Sequence, residues 1–169
     1  MATLARKSAR PKAIDADLFE RVLAWGAIIL LGFVVAALAR GYPYWGKVPL
    51  AIWGHLATIV VALALTPIML LRRRGDRLHR RLGTVWVVAM ILTALDSLLV
   101  RNVNHGGFSI IHLLSVWTLI QVPIIWWSAR HHHVRQHRGS VRGMVLGALL
   151  IAGFFTFPFN RLLGQFLFG

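Results

Sequence analysis

Three ionisable side chains lie inside long apolar stretches of the sequence: His55, Asp96 and His112. A titratable group in the hydrocarbon region of a bilayer is costly, so such residues usually serve a function. Each of the three belongs to a different apolar stretch. Counted from the nearest helix ends at 1.5 Å per residue, their depths agree to within roughly 3 Å. We therefore expect all three at one level, near the outer side of a membrane.

Two chemistries suit these three residues. His55 and His112, at equal depth on facing helices, are placed as axial ligands of a b-type haem, with Asp96 or Arg101 bonding to a ligand or propionate. His55, Asp96 and His112 together match the two-histidine, one-carboxylate set that binds zinc or iron. A structural alternative stays open, in which Asp96 pairs with Arg161, Arg101 or a histidine and the histidines hydrogen-bond between helices.

The composition predicts an integral membrane protein. Hydrophobic residues make up 57% of the 169 residues, 14% are charged, and the mean hydropathy is +0.67. This leaves too little polar side chain to cover a globule in water, whereas roughly 20 apolar residues cross a bilayer as one helix. Asp15 or Asp17 is placed to cap a helix starting near Leu18. The prediction is an all-α bundle with a basic cytoplasmic tail at 1–17 and one membrane domain at 18–169, with five spans near 20–40, 49–71, 82–100, 108–127 and 143–160.

Lysine and arginine are distributed unevenly between the connections. The tail with Arg21 shortly after it, and the connections 72–81 and 128–142, carry 15 of the 19, and the alternate regions carry 4. The positive-inside rule then predicts a bacterial inner-membrane protein with a cytoplasmic N-terminus and a periplasmic C-terminus. With a net charge of +14, we expect contact with anionic headgroups of the lipid bilayer, not with nucleic acid. The expected lipid or anion ligands are Arg73, Arg74, His79, Arg80, Arg135 and Arg138.

Several other kinds of site are excluded by residue type. The chain has no cysteine, which excludes disulfides, thiolate nucleophiles, c-type haem and Cys-ligated zinc. It has no phosphate-binding loop, G-x-S-x-G elbow or H-E-x-x-H helix. Only one of the five acidic residues lies inside an apolar span, so hydrolysis by paired carboxylates is not expected.

Five segments between about residues 50 and 165 carry a resemblance to a known family: GHLATIVVALALTPIMLLRR, LHRRLGTVW, IHLLSVW, HRGSVRGM and FPFNRLLG. Together they resemble short bacterial predicted membrane proteins grouped as a domain of unknown function. The resemblance implies an inner-membrane protein and no established activity. Thr84 and Asp96 depart from the family pattern. The family-type positions are His55, His79, Arg80, Gly83, His112, His137, Arg138, Arg161 and Gly164.

The leading functional hypothesis is a small redox-type membrane protein with haem b between His55 and His112. The alternative is a non-catalytic accessory subunit that packs against other membrane subunits, or a homo-oligomer. A small transporter is a third class, and with five spans it would have to oligomerise.

Overall fold

The computed structural model describes residues 15–99, 110–158 and 161–169, and within these ranges the chain is helical, without strands. The first fourteen residues of the expected tail, and 100–109 with Arg101, lie outside the described residues. The main helices are α1 (Leu18–Arg40), α2 (Leu50–Leu71), α3 (Arg77–Leu99), α4 (Ile110–Arg130) and α5 (Val134–Met144). A 3₁₀ helix, Tyr42–Lys47, joins α1 to α2.

Within the described residues, four helical stretches are long and apolar enough to cross a membrane: Leu18–Arg40, Leu50–Leu71, Arg77–Leu98 and His112–Arg130. In lipid, every backbone N–H and C=O needs an internal partner, and a helix provides one for nearly all of them. Large apolar side chains point outward from these helices, including Ile29, Phe33, Val61 and Leu113. The expected all-α membrane bundle is confirmed.

Asp17 caps α1, whereas the sequence left Asp15 and Asp17 as alternatives. The Asp17 Oδ1 accepts the Glu20 backbone N–H at 3.0 Å, and the Glu20 Oε2 accepts the Asp17 N–H at 3.1 Å. This reciprocal capping box satisfies two of the otherwise unpaired N–H groups of the first turn.

Each helix packs against its neighbour in sequence, from α1 to α5, and the chain following α5 returns to α1. The helices therefore form a closed ring. Every member contributes to one core, in which Leu23, Leu63, Met90, Ile125 and Leu149 are almost completely buried. The end of the ring that carries 72–81 and 131–142 is called the basic end below.

The stretch expected as a fifth span, 143–160, is not one continuous α-helix over its described residues. Helix α5 begins at Val134, inside the expected basic connection, and continues through a π-helical segment, Val145–Ile151, into α6 (Ala152–Phe154). Helix α7 (Leu162–Phe168) follows after a turn containing Pro158, which has no N–H to continue a helix. Successive contacts run along α1 toward its C-terminus: Leu150 with Gly26, Gly153 with Leu30, Phe157 with Phe33, and Phe166 with Gly41.

Two other helices extend beyond their expected ends. Helix α3 begins at Arg77 where the sequence suggested Leu82, and α4 continues to Arg130 beyond Trp127. The Asp76 Oδ1 accepts the His79 backbone N–H at 2.6 Å, so the first turn of α3 is capped within the basic stretch. Hydropathy marks only the apolar part of a helix, because arginine-rich turns continue it outside the hydrocarbon region.

Candidate functional site

A cavity of about 650 Å³ lies inside the ring at the basic end, and we call it the basic cleft. Its apolar lining includes Met69, Leu70, Val87, Trp126 and Val145. Its charged lining comes from the helix ends and the α2–α3 connection. That lining consists of Glu20, His79, His137 and six residues called the cleft arginines: Arg74, Arg77, Arg80, Arg81, Arg130 and Arg138.

Glu20 is the carboxylate of the basic cleft, and its side chain is only 1% exposed. Arg138 on α5 donates to it twice, from Nε to Oε1 at 2.6 Å and from Nη2 to Oε2 at 2.8 Å. Arg74 also donates to Oε2, and Arg142 Nε donates to Oε1 at 3.2 Å. Three guanidinium groups therefore surround one buried carboxylate. They supply the counter-charge that a carboxylate needs when it is buried.

Asp17 extends this ionic cluster toward solvent. Arg142 donates to the Asp17 carboxylate, and the Arg138 Nη2 lies 3.2 Å from Asp17 Oδ2. The hydrogen bond from the Glu20 backbone N–H, and to a smaller extent Arg142, holds the pKa of Asp17 below its ordinary value. The cluster joins α1, the α2–α3 connection and α5 at one end of the ring.

A buried hydrogen bond lies beside the inner part of the basic cleft. Trp86 Nε1 donates to the Thr66 hydroxyl at 3.0 Å, and this hydroxyl donates to the Ala62 carbonyl at 2.7 Å. Both polar side chains are thus satisfied within the protein. The inner part of the cleft offers a ligand mostly apolar surface, as a hydrocarbon chain requires.

Two imidazoles line the cleft from different helices. The Nδ1 of His137 on α5 lies 3.1 Å from the Ile125 carbonyl oxygen of α4. Burial, and to a smaller extent the charge of Arg74, lowers the pKa of His137, although its hydrogen bond to Ile125 acts in the opposite direction. On α3, the His79 Nδ1 is buried and has no hydrogen-bond partner within the described residues.

Most of the cleft arginines have no carboxylate partner in the part of the chain that the structure describes. Arg74 and Arg138 bind Glu20. Arg80 Nη1 donates to the Gly75 carbonyl at 2.8 Å, and the Arg130 guanidinium lies 4.6 Å from the centre of the Trp126 ring. Six arginines facing one carboxylate leave a strong positive potential, which attracts anions.

Four of the six expected lipid or anion ligands line the basic cleft: Arg74, His79, Arg80 and Arg138. Arg73 and Arg135 do not line it, and both are exposed. Sequence adjacency groups all six residues, but on a helix or a turn neighbouring side chains point in different directions.

The three intramembrane residues lie on α2, α3 and α4. The His55 Nδ1 is 3.2 Å from the Thr93 carbonyl oxygen of α3. The Asp96 Oδ2 lies 3.5 Å from the position of a Cβ on Gly54, so Asp96 and His55 share the α2–α3 interface. His112 is 4% exposed on α4. No three His, Asp or Glu side chains within 15–99, 110–158 and 161–169 lie close enough to hold a metal ion.

Sequence reasoning missed Glu20, and with it the ionic cluster. Its signal was present in the sequence, because Asp17 and Glu20 have the three-residue spacing of a capping box directly before an apolar run. It also missed Arg77, Arg81 and Arg130 as part of the same site, since nothing local indicates which arginines face the centre of the ring.

The whole chain was also compared with known proteins. No curated protein and no solved structure is similar enough to this chain to be matched. A family model, described as a predicted membrane protein, matches residues 52–166, which include most of the basic cleft and all three intramembrane residues. The chain therefore belongs to the predicted membrane protein family DUF2306.

Proposed function

We propose that this membrane protein binds an anionic amphiphile in the basic cleft, at the cytoplasmic face of a bacterial inner membrane. The observation that carries the proposal is the excess of six cleft arginines over one carboxylate around a cavity whose inner lining is apolar. An anionic headgroup complements the cleft arginines, and a hydrocarbon chain complements the apolar inner lining.

The size of the cavity supports this ligand class. About 650 Å³ lies within the range of roughly 300–1,000 Å³ usual for small-molecule sites. Arginine guanidinium groups bind oxyanions through paired hydrogen bonds, and such charge-assisted bonds are among the strongest in proteins. The cytoplasmic side also agrees with the 15 of 19 lysines and arginines that lie in the tail, at Arg21 and in the connections 72–81 and 128–142.

The test is a comparison of lipids bound to the purified protein by native mass spectrometry. Phosphatidylglycerol and phosphatidylcholine of equal chain length are supplied separately to the same detergent preparation. We expect the dissociation constant of phosphatidylglycerol to be about tenfold lower than that of phosphatidylcholine. A difference of this size corresponds to roughly one charge-assisted hydrogen bond. The double variant Arg77→Gln/Arg81→Gln should lose most of this preference.

A matched control removes two positive charges from the opposite end of the bundle. Arg40 and Lys47 lie at the end of α1 and in the following 3₁₀ helix, outside the basic cleft. Arg40→Gln/Lys47→Gln should keep the preference for phosphatidylglycerol. Equal binding of the two lipids by the wild type, or equal losses in both double variants, would overturn the proposal.

Haem ligation by His55 and His112 stays a prediction from the sequence. Neither residue lines the basic cleft, so the two hypotheses are independent. Visible spectra of the purified protein, oxidised and dithionite-reduced, test it. A sharp reduced α-band that disappears in both His55→Ala and His112→Ala would support a b-type haem, and a colourless preparation would contradict it.

The role of accessory subunit also stays a prediction. If it is correct, one partner protein should co-purify with this chain in stoichiometric amount after mild solubilisation. A protein that migrates alone and still binds lipid selectively would favour the amphiphile-binding function.

A further inference from the structure

We propose that His79 and His137 form the headgroup subsite of the basic cleft, and that a phosphate-bearing lipid binds between them together with a proton. The inference rests on the proposed function. It adds the chemical class of the headgroup, the two residues that meet it, and the dependence of binding on pH.

The hydrogen bond of His137 determines which of its nitrogens faces a ligand. The Ile125 carbonyl, 3.1 Å from Nδ1, can only accept, so Nδ1 carries the hydrogen. In the neutral ring, Nε2 then has a lone pair and repels an oxyanion. Once protonated, Nε2 becomes a donor on a positively charged ring, which an oxyanion binds.

His79 supplies a second imidazole from another helix of the ring. Its backbone N–H is held by Asp76 at 2.6 Å, which fixes the start of α3. Its Nδ1 is buried and has no partner in the described parts of the chain, although the side chain lines the cleft. His79 therefore contributes a second imidazole to the lining of the cleft, from α3.

The charges around the two rings oppose protonation while the cleft holds no anion. Glu20 faces the cleft from α1, and the cleft arginines face it from the α2–α3 connection, α3, α4 and α5. Arg72 and Asp76 in that connection do not line the cleft, but their charges act on His79. Three arginines surround Glu20, so its charge is already compensated. Asp76 attracts a proton to His79, but it is paired with Arg72 at 2.6 Å, and the charges of His137, Arg74 and Arg72 act in the opposite direction. Burial is the main cause of the lowered pKa of His137, and the charge of Arg74 adds to it.

A phosphate group reverses the balance. It brings at least one negative charge, and its tetrahedral oxygens accept hydrogen bonds from several directions, here from α3 and α5. This favours the protonated form of the imidazoles. The apolar inner lining makes a lipid the source of that phosphate, because free phosphate would leave the hydrocarbon-lined volume unused.

The experiment measures phosphatidylglycerol affinity at about pH 7.5 and about pH 6.0. A phosphodiester keeps its single charge over this range, so a change in affinity reports protonation of the protein. For the full-length wild type in phosphatidylcholine nanodiscs, we expect the affinity to rise roughly three- to tenfold at the lower pH. His79→Gln/His137→Gln should remove the rise.

The matched control is His131→Gln/His133→Gln. It also removes two histidines from the basic end, but neither residue lines the basic cleft and both are exposed. This variant should keep the full rise. The single variant His79→Gln keeps the His137–Ile125 hydrogen bond and should reduce the rise in affinity in part. It therefore tests the subsite even if the double variant is misfolded by the loss of that hydrogen bond.

Several results would overturn the inference. Binding of phosphatidylglycerol that is independent of pH in the wild type, or a rise that survives in His79→Gln/His137→Gln, would exclude the imidazole subsite while leaving the proposed function intact. Inorganic phosphate that binds as tightly as phosphatidylglycerol would exclude the lipid as the ligand. Equal affinity for phosphatidylglycerol and phosphatidylcholine would overturn the proposed function as well.

Discussion

Arg138 on α5 donates two parallel hydrogen bonds, 2.6 Å and 2.8 Å long, to the carboxylate of Glu20 on α1. The two residues are 118 positions apart in the sequence. The paired geometry fixes both distance and orientation, as a single ammonium group would not. The same carboxylate completes the capping box of α1. One side chain thus both caps the first helix and joins it to α5 at the basic end.

Replacing Glu20 should destabilise the bundle more than replacing another acid in the same segment. In Glu20→Ala, three buried or half-buried arginines lose their shared counter-charge, and we expect a loss of about 3 kcal/mol. Asp15→Ala is the matched control, because Asp15 is exposed. Thermal unfolding in one detergent measures both, and equal shifts in Tm would contradict the role given to Glu20.

His132 adopts a left-handed backbone conformation with φ of 56°, directly after α4. A side chain with a Cβ is strained there, whereas glycine is not. His132→Gly should therefore raise the unfolding free energy by roughly 0.5–1 kcal/mol. His133 has φ of −79°, so His133→Gly should give no such gain. A stabilisation of equal size in both variants would show that the backbone conformation is not the cause.

Gly164 holds α7 against the turn that precedes it. A Cβ at this position would overlap the carbonyl oxygen of Phe157. Gly164→Ala should cost about 1–3 kcal/mol, since backbone cannot move aside as a flexible side chain can. Gly32 on the exposed face of α1 has nothing within 4 Å of its would-be Cβ, so Gly32→Ala is expected to be neutral or stabilising. Comparison of Tm values for the two variants checks the close contact.

The absence of cysteine allows the topology to be tested with single-cysteine variants. We expect Arg73→Cys at the basic end to react with a membrane-impermeant maleimide only after the cells are opened. Gly46→Cys, at the opposite end and with open space around it, should react in intact spheroplasts. The reverse pattern would place the basic end outside and contradict the cytoplasmic location.

The lowered pKa of His137 predicts how stability depends on pH. The unfolded chain binds a proton near the ordinary value of about 6.5, and the folded protein only at lower pH. Stability from this group is therefore fully present above about pH 6.5 and is lost as the pH falls toward the folded pKa. His137→Gln should flatten this part of a Tm-against-pH profile, and exposed His131→Gln should not. An unchanged profile in His137→Gln would contradict the assignment.

Some features of the site were readable locally and others were not. The spacing of Asp17 and Glu20 predicts the start of a helix. The partners of the Glu20 carboxylate, Arg74 and Arg138, are 54 and 118 positions away in the sequence, so no local pattern indicates them. Likewise, His79 and Arg80 can be expected to meet anions at a basic membrane face. That they share one cleft with His137 depends on closure of the ring between α1 and the chain following α5.

The sequence by itself determined that the chain is a helical membrane protein, because apolar runs of sufficient length have one stable form in lipid. It also determined which connections carry positive charge. Only the tertiary structure decided which faces of the helices meet, where α5 gives way to a π-helical segment, and which arginines turn inward. The physical reason is that core-facing and lipid-facing side chains are equally apolar in a bilayer, so hydropathy carries little information about helix rotation.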